Sequence, residues 1–284
     1  MNLKVVAKDW ACGQRSHILT TEDGTLLPGQ RDVTINHNFR GESLITAWDG
    51  NPAISAKGPQ VLADYTAVRG YIDHWEGSRS VFNFNYRNRS HPGRLFVPAW
   101  ADAWAAGLGV DGCVVVEAFV RRPSSPGKDW GYDRWRDAAA FVGADWRAQH
   151  RQAPTLIQMA DRPIKTIPGA RFIKTPTFWH AAAIIARSAL VLTPEGGTHH
   201  MAGALRRPAV VVCGGFTHPD VIGYDGHEYL YADVPGSPCG RFDHCPHCVD
   251  ALNRITPAMV ADATGRLLDV QDVQDTTSQA SKAS

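Results

Sequence analysis

From residue 111 onward, short apolar runs alternate with stretches whose apolar residues recur at helical spacing, and this alternation leaves few architectures open. CVVVEAF (113–119), TLIQM (155–159), ALVLT (189–193) and PAVVVC (208–213) have the length and β-branched content of buried strands. YDRWRDAAAFV (132–142), TFWHAAAIIARS (177–188) and THHMAGALRR (198–207) read as the helices between them, with a short RFIK stretch (171–174) ahead of the second. Strands separated by helices of this size predict a parallel sheet covered on both faces, so the C-terminal half is expected to be a Rossmann-like α/β domain. A further helix is expected to start at Thr256, an N-cap ahead of Pro257 at the first helical position. The tail past about Asp272 has too little apolar content to pack and is expected to be mobile.

The first 105 residues carry shorter strand candidates (LKVVA, DVTIN, SLITAW, RSVFNFNY) broken by turn signals, then ADAWAAGLG, which reads as a helix. They fit a smaller α/β domain. The expected division is 1–108, 109–271 and a tail over 272–284. No stretch approaches the roughly 20 apolar residues of a membrane span, and the opening MNLKVVAKDW lacks a secretory apolar run, so a cytoplasmic protein is expected. With 29 Lys+Arg against 28 Asp+Glu the net charge is +1, which gives no broad nucleic-acid-binding surface.

Four stretches carry candidate chemistry. GLGVDG (107–112) satisfies the letters of a dinucleotide fingerprint but follows a helix and precedes a strand; the phosphate must meet a helix N-terminus, so the match is discarded. TPEGGTHH (193–200) has the required order, with a strand ending at Thr193 and a helix opening near Thr198. Gly196 and Gly197 let a ligand approach the backbone, and the unpaired amides of the first turn suit a diphosphate. Glu195 would repel that anion, so its carboxylate is assigned to neutral hydroxyls of a ribose or sugar, with His199 and His200 as added donors. The plain alternative is that Glu195 and Thr198 only cap the helix and one histidine is buried.

RRPSSPGKDWGYDRW (121–135) joins the first strand of the domain to its first helix and places Lys128 where a loop at the same sheet edge meets a phosphate; Trp130 and Trp135 belong either to the core or to the pocket wall. CGRFDHCPHC (239–248) brings Cys239, Cys245 and Cys248 within ten residues, with His244 and His247 beside them. The C-x₂-C pair is a zinc half-site whose fourth ligand comes from either histidine; the alternative is free thiols packed beneath a loop.

The segments VVVEAFVRRPSSPGKDWGYDRW, RFIKTPTFWHAAAIIARSALVLTPEGGTHHMAGALRRPAVVVCGGF and GYDGHEYLY…CGRFDHCPHC together resemble glycosyltransferase family 9, which contains the lipopolysaccharide heptosyltransferases, in particular its branch with an EGG-HH signature. The resemblance covers about residues 113–260. It implies a GT-B-like α/β fold, two Rossmann-like domains facing a cleft, here with a reduced N-terminal one. It also implies an inverting, metal-independent transfer of a hexosyl or heptosyl group from a nucleoside-diphosphate sugar, with no cofactor required for catalysis; the structural zinc at the cysteines is a reading of the residues alone. The acceptor would be a glycan, a lipid-linked saccharide or a modified nucleobase. By position, Lys128 matches the lysine that meets the donor phosphates. Thr193, Glu195, Gly196, Gly197, Thr198 and His199 match the donor-binding turn, and Gly214, Gly215 and Phe216 line the same cleft. The departure is N-terminal: the family's Gly-x-Gly-Asp turn, whose aspartate is the proposed base, is replaced by AKDWACGQRSHILTTEDG. Asp9, His17 and Asp23, with Glu22, are the groups there able to take a proton, and nothing in their spacing selects one.

Overall fold

The computed structural model describes residues 95–119, 126–150, 153–240 and 245–282, together with six short strands before residue 85. Those six are β1 (Leu3–Lys8), β2 (His17–Thr21), β3 (Arg31–Asp32), β4 (Val61–Leu62), β5 (Ile72–Trp75) and β6 (Phe82–Phe84). They pair as β1–β2, β3–β4 and β5–β6, each pair antiparallel. The parallel pairing of a Rossmann-like domain is found in the C-terminal half.

There, β7 (Val114–Val116), β8 (Leu156–Ala160), β9 (Arg171–Lys174), β10 (Leu190–Pro194), β11 (Ala209–Cys213) and β12 (His227–Tyr231) form one sheet in the order β12-β11-β10-β7-β8-β9. Every adjacent pair is parallel. Counted within this sheet, the order is that of the doubly wound dinucleotide-binding fold. The interior strands read as continuous apolar runs because both faces are covered. Val114, Val116, Leu190, Leu192, Val210 and Val212 face one core, and Val115, Val191, Val211 and Cys213 face the other.

The helices divide between those faces. α1 (Ala99–Ala106), α3 (Phe178–Arg187) and α4 (Gly197–Ala204) lie on the second face; α2 (Tyr132–His150), α6 (Pro246–Asn253) and α7 (Pro257–Lys282) lie on the first, and the four-residue α5 (Pro219–Ile222) follows β11. The chain therefore leaves β7 toward one face and the neighbouring β10 toward the other. The carboxyl edge opens between these two strands, which is where such sheets hold ligands.

Several expectations need adjustment. α1 packs with Leu95, Ala101, Ala105 and Val110 into the same core as β7 and β10. Arg187 at the end of α3 also bonds Asp102 at 2.9 Å and Asp111 at 2.7 Å. Leu95 and α1, which precede residue 109, thus pack and bond with the unit built on the sheet. GLGVDG follows α1 and precedes β7, the order that excludes it as a fingerprint. Thr256 caps α7 as expected, its Oγ1 accepting from the Met259 amide at 3.3 Å. That helix continues to Lys282, ten residues beyond Asp272. RFIK is an edge strand, and β12 and α6 are elements that the apolar patterning does not announce.

Candidate functional site at the switch between β7 and β10

Two loops leave the sheet at this point, and each carries one charge. After β7 the chain makes a short 3₁₀ turn over Pro126–Lys128, then Asp129 accepts the Gly131 amide at 3.0 Å as the chain enters α2. Gly131 has a φ of +94°, a conformation that favours glycine. Trp130 and Trp135, each 1 % exposed, pack edge to face at 4.9 Å, and the Trp130 indole donates to the Ile255 carbonyl at 3.0 Å. Both tryptophans are core, and they anchor the loop from below while Lys128 points to the sheet edge.

After β10, Glu195 leads into α4. Lys128 Nζ lies 2.5 Å from Glu195 Oε2, with the two side chains 15 % and 8 % exposed, and 4.3 Å from the centre of the Phe216 ring. The lysine thus binds the carboxylate and rests on an aromatic face, which holds a flexible ammonium in one place. The neighbouring Cys213 thiol is pushed up by burial, with the Glu195 charge adding and that of Lys128 opposing; it is a neutral core group. Three of the residues expected at one site, Lys128, Glu195 and Phe216, are therefore in contact.

The plain alternative holds in one half: a histidine, His199, is buried, whereas Glu195 pairs with Lys128. Glu195 is engaged by Lys128, and no side chain makes a capping hydrogen bond at Gly196, the N-cap of α4. A Cβ at Gly197 would meet nothing within 4 Å, and one at Gly196 only the Pro194 carbonyl at 4.0 Å. The start of α4 is thus open on the side where side chains at Gly196 and Gly197 would stand, flanked by half-buried Thr198.

The other expected contacts fall elsewhere. His199 is fully buried, its Nε2 2.8 Å from the Tyr229 hydroxyl, in a cluster of rings with His200, Tyr224 and His227. His200 Nδ1 lies 2.6 Å from the Tyr224 hydroxyl. The helix turns both imidazoles toward β12 and the loop before it, where His199 fastens α4 to the sheet. Thr193 is also fully buried, and its hydroxyl donates toward Glu117 Oε2 at 3.2 Å. Gly215 is buried in the floor of the site, where a Cβ would stand 2.6 Å from Ser237 Oγ and 3.3 Å from Cys248 Cα. Of the candidate bases, Asp9 and Asp23 lie outside the described residues, and of His17 only the backbone in β2 is described. Glu117 is the functional candidate that the residue patterning passed over. Its signal is slight: it is the first polar residue at the carboxyl end of β7.

The cysteine stretch folds against this floor. The sulfurs of Cys239, Cys245 and Cys248 lie within 4.8 Å of one another, a group able to hold a metal ion. Cys239 and Cys248 are 3.4 Å apart at sulfur and are free thiols. Hydrogen bonding with Cys239, ahead of burial, pushes the Cys248 thiol far up. His247 stands beside Cys245, Nδ1 to Sγ 3.4 Å, but is not within the mutual distance that joins the three sulfurs.

No protein-family model and no curated protein matches the sequence. Solved structures of similar fold include the E. coli ADP-heptose lps heptosyltransferase II, at 16 % identity over 63 % of this chain and 54 % of that one, with a TM-score of 0.47. A glycosyl transferase family 9 protein from Veillonella parvula is 16 % identical over 62 % of this chain and 53 % of its own, with a TM-score of 0.45. An E. coli heptosyltransferase bound to ADP-2-deoxy-2-fluoro heptose is 15 % identical over 55 % and 43 %, with a TM-score of 0.39. The chain spans about half the length of these structures. No helix among the described residues is long and apolar enough to cross a membrane.

Proposed function

We propose that the protein is a glycosyltransferase that moves a sugar from a nucleoside-diphosphate sugar to an acceptor hydroxyl, with inversion and without a catalytic metal. The observation that carries this reading is the Lys128–Glu195 pair, set at the switch point beside a helix N-terminus that no side chain caps. An arriving diphosphate takes the α4 amides and competes with Glu195 for the Lys128 ammonium. Once Lys128 has turned to the phosphates, Glu195 is free to accept from ribose or sugar hydroxyls. As the glycosidic bond breaks, negative charge grows on the departing diphosphate, and a fixed ammonium with oriented amides stabilises it at that moment. The acceptor hydroxyl attacks the opposite face of the anomeric carbon, its proton going to a base from the N-terminal half, for which Asp9, His17 and Asp23 are the candidates. The acceptor is a glycan, a lipid-linked saccharide or a modified nucleobase, and a zinc ion at the cysteines would be structural. The thiol cluster suits a reducing compartment, and we place the protein in the cytoplasm.

A second reading is favoured by one observation: the N-terminal sequence has no Gly-x-Gly-Asp turn. Under it the chain binds nucleotide sugars and is catalytically silent. Release of free nucleoside diphosphate from a panel of nucleotide sugars separates the two. The transferase reading expects turnover that falls by about a hundredfold or more in Lys128→Ala and Glu195→Ala, as when an electrostatic group of this kind is removed. Wild-type rates in both variants would refute the site, and donor binding with no release in any acceptor mixture would favour the silent protein.

A further inference from the structure

The cysteine cluster touches both loops that carry the candidate site. Cys239 donates its amide to the Gly215 carbonyl at 2.8 Å, and the next amide, Gly240, donates to Phe216 at 3.0 Å. Phe216 packs in one apolar group with Cys239, Cys245 and Cys248, and its ring supports Lys128. Cys248 meets the other loop: a Cβ at Gly127, the residue before Lys128, would stand 2.9 Å from Cys248 Cβ and 3.1 Å from its sulfur. The same cysteine closes over Gly215. The position of the three sulfurs therefore fixes Lys128 twice, through the chain at Gly127 and through the ring at Phe216.

The sulfurs have the spacing of a thiolate site. Tetrahedral zinc–sulfur bonds of about 2.3 Å place sulfurs about 3.8 Å apart, whereas a disulfide needs about 2.0 Å. The 3.4 Å between Cys239 and Cys248 and the mutual limit of 4.8 Å sit around the first value and far from the second. His247 Nδ1, 3.4 Å from Cys245 Sγ, is the nearest described imidazole for the fourth place.

We propose that Cys239, Cys245 and Cys248 hold a zinc ion that acts as a bolt beneath the diphosphate seat, so that nucleotide affinity depends on a metal the nucleotide never touches. The proposal rests on the reading of that seat given above. Zinc adds no charge to the reacting centre. It ties α6 to the loop over Gly215 and Phe216, and through Cys248 it sets the height of Gly127 and Lys128. Without it, the three thiols are joined only by weak sulfur contacts, and Lys128 loses the rigid backing that keeps it at the sheet edge.

The test uses the full chain, loaded with zinc chloride and then desalted. Metal analysis is expected to show equimolar retained zinc, lost in Cys239→Ser, the variant at the least buried corner of the cluster. The best binder among ADP, UDP and GDP is then titrated calorimetrically before and after chelation, with circular dichroism following the fold. Chelation is expected to weaken binding by at least about tenfold, since small misplacements of a binding group have effects of this size. Cobalt in place of zinc gives a second readout: the visible bands of tetrahedral cobalt thiolate are expected, and they are expected to shift when the nucleotide binds. Zinc well below equimolar overturns the inference whatever the nucleotide does. Equal affinity with and without zinc, or cobalt bands indifferent to nucleotide, overturns the coupling and leaves the transferase reading standing. No nucleotide binding to zinc-loaded protein overturns the seat and the coupling together, while the zinc measurement still decides the metal site.

Discussion

Lys128 carries the account at the level of single residues, because its ammonium is the positive charge shown in direct contact with Glu195 and with the ring of Phe216. On the proposed reading the pair lets an acid stand beside an anion seat: Glu195 holds the lysine in the free protein and would turn to hydroxyls in the complex. By its packing, His199 contributes to stability. It is fully buried against Tyr229, so His199→Ala should open a cavity and cost about 2–4 kcal/mol in urea unfolding. The folded fraction should bind nucleoside diphosphate within about twofold of wild type. A large loss of affinity with unchanged stability would return His199 to the ligand. The sequence could not separate these roles. Residues 198 and 199 stand in the same helical turn, and which one faces the sheet is decided by rings on β12 and the loop before it.

At the scale of elements, glycine marks where backbone meets backbone and where the proposed ligand would meet it. A Cβ at Gly214 would fall 2.0 Å from the Gly127 carbonyl oxygen, and neither loop can yield without moving Lys128. A Cβ at Gly197 would meet nothing. Gly214→Ala should therefore lose about 1–3 kcal/mol of stability, the usual range for overpacking, and Gly197→Ala should stay within about 1 kcal/mol of wild type while binding nucleotide more weakly. Thermal unfolding and calorimetry on the two variants check the contrast, and undiminished binding by Gly197→Ala would mean that the α4 amides do not meet the ligand. The elements were unequally legible. β7, β8, β10 and β11 lie inside the sheet and show as mainly apolar runs, with Gln158 in β8 and Thr193 in β10 as their buried polar members. β9 and β12 are the two edges, where one side of each strand is partly open, and polar residues dilute the pattern in RFIK and HEYLY. α6 opens Pro-His-Cys after its N-cap Cys245, a composition that suggests ligands before it suggests a helix.

Over the whole molecule, a doubly wound sheet supplies the switch point, and the two loops leaving it supply a cation and an uncapped helix end. The place of the proposed seat follows from the order strand, glycine turn, helix, because that order alone puts helix amides at the carboxyl edge of a parallel sheet. The proton acceptor could not be placed, since Asp9, His17 and Asp23 share no spacing that a strand or helix would bring together. The claim that most depends on the whole fold is that this edge seats a diphosphate, and thermal unfolding with ADP, UDP and GDP tests it most directly. At 100 times its dissociation constant, a nucleoside diphosphate that binds only the folded state should add about 2.7 kcal/mol, and the gain should disappear in Lys128→Ala. If none of the three raises the unfolding temperature, or if Lys128→Ala gains as much as wild type, the seat does not hold a diphosphate.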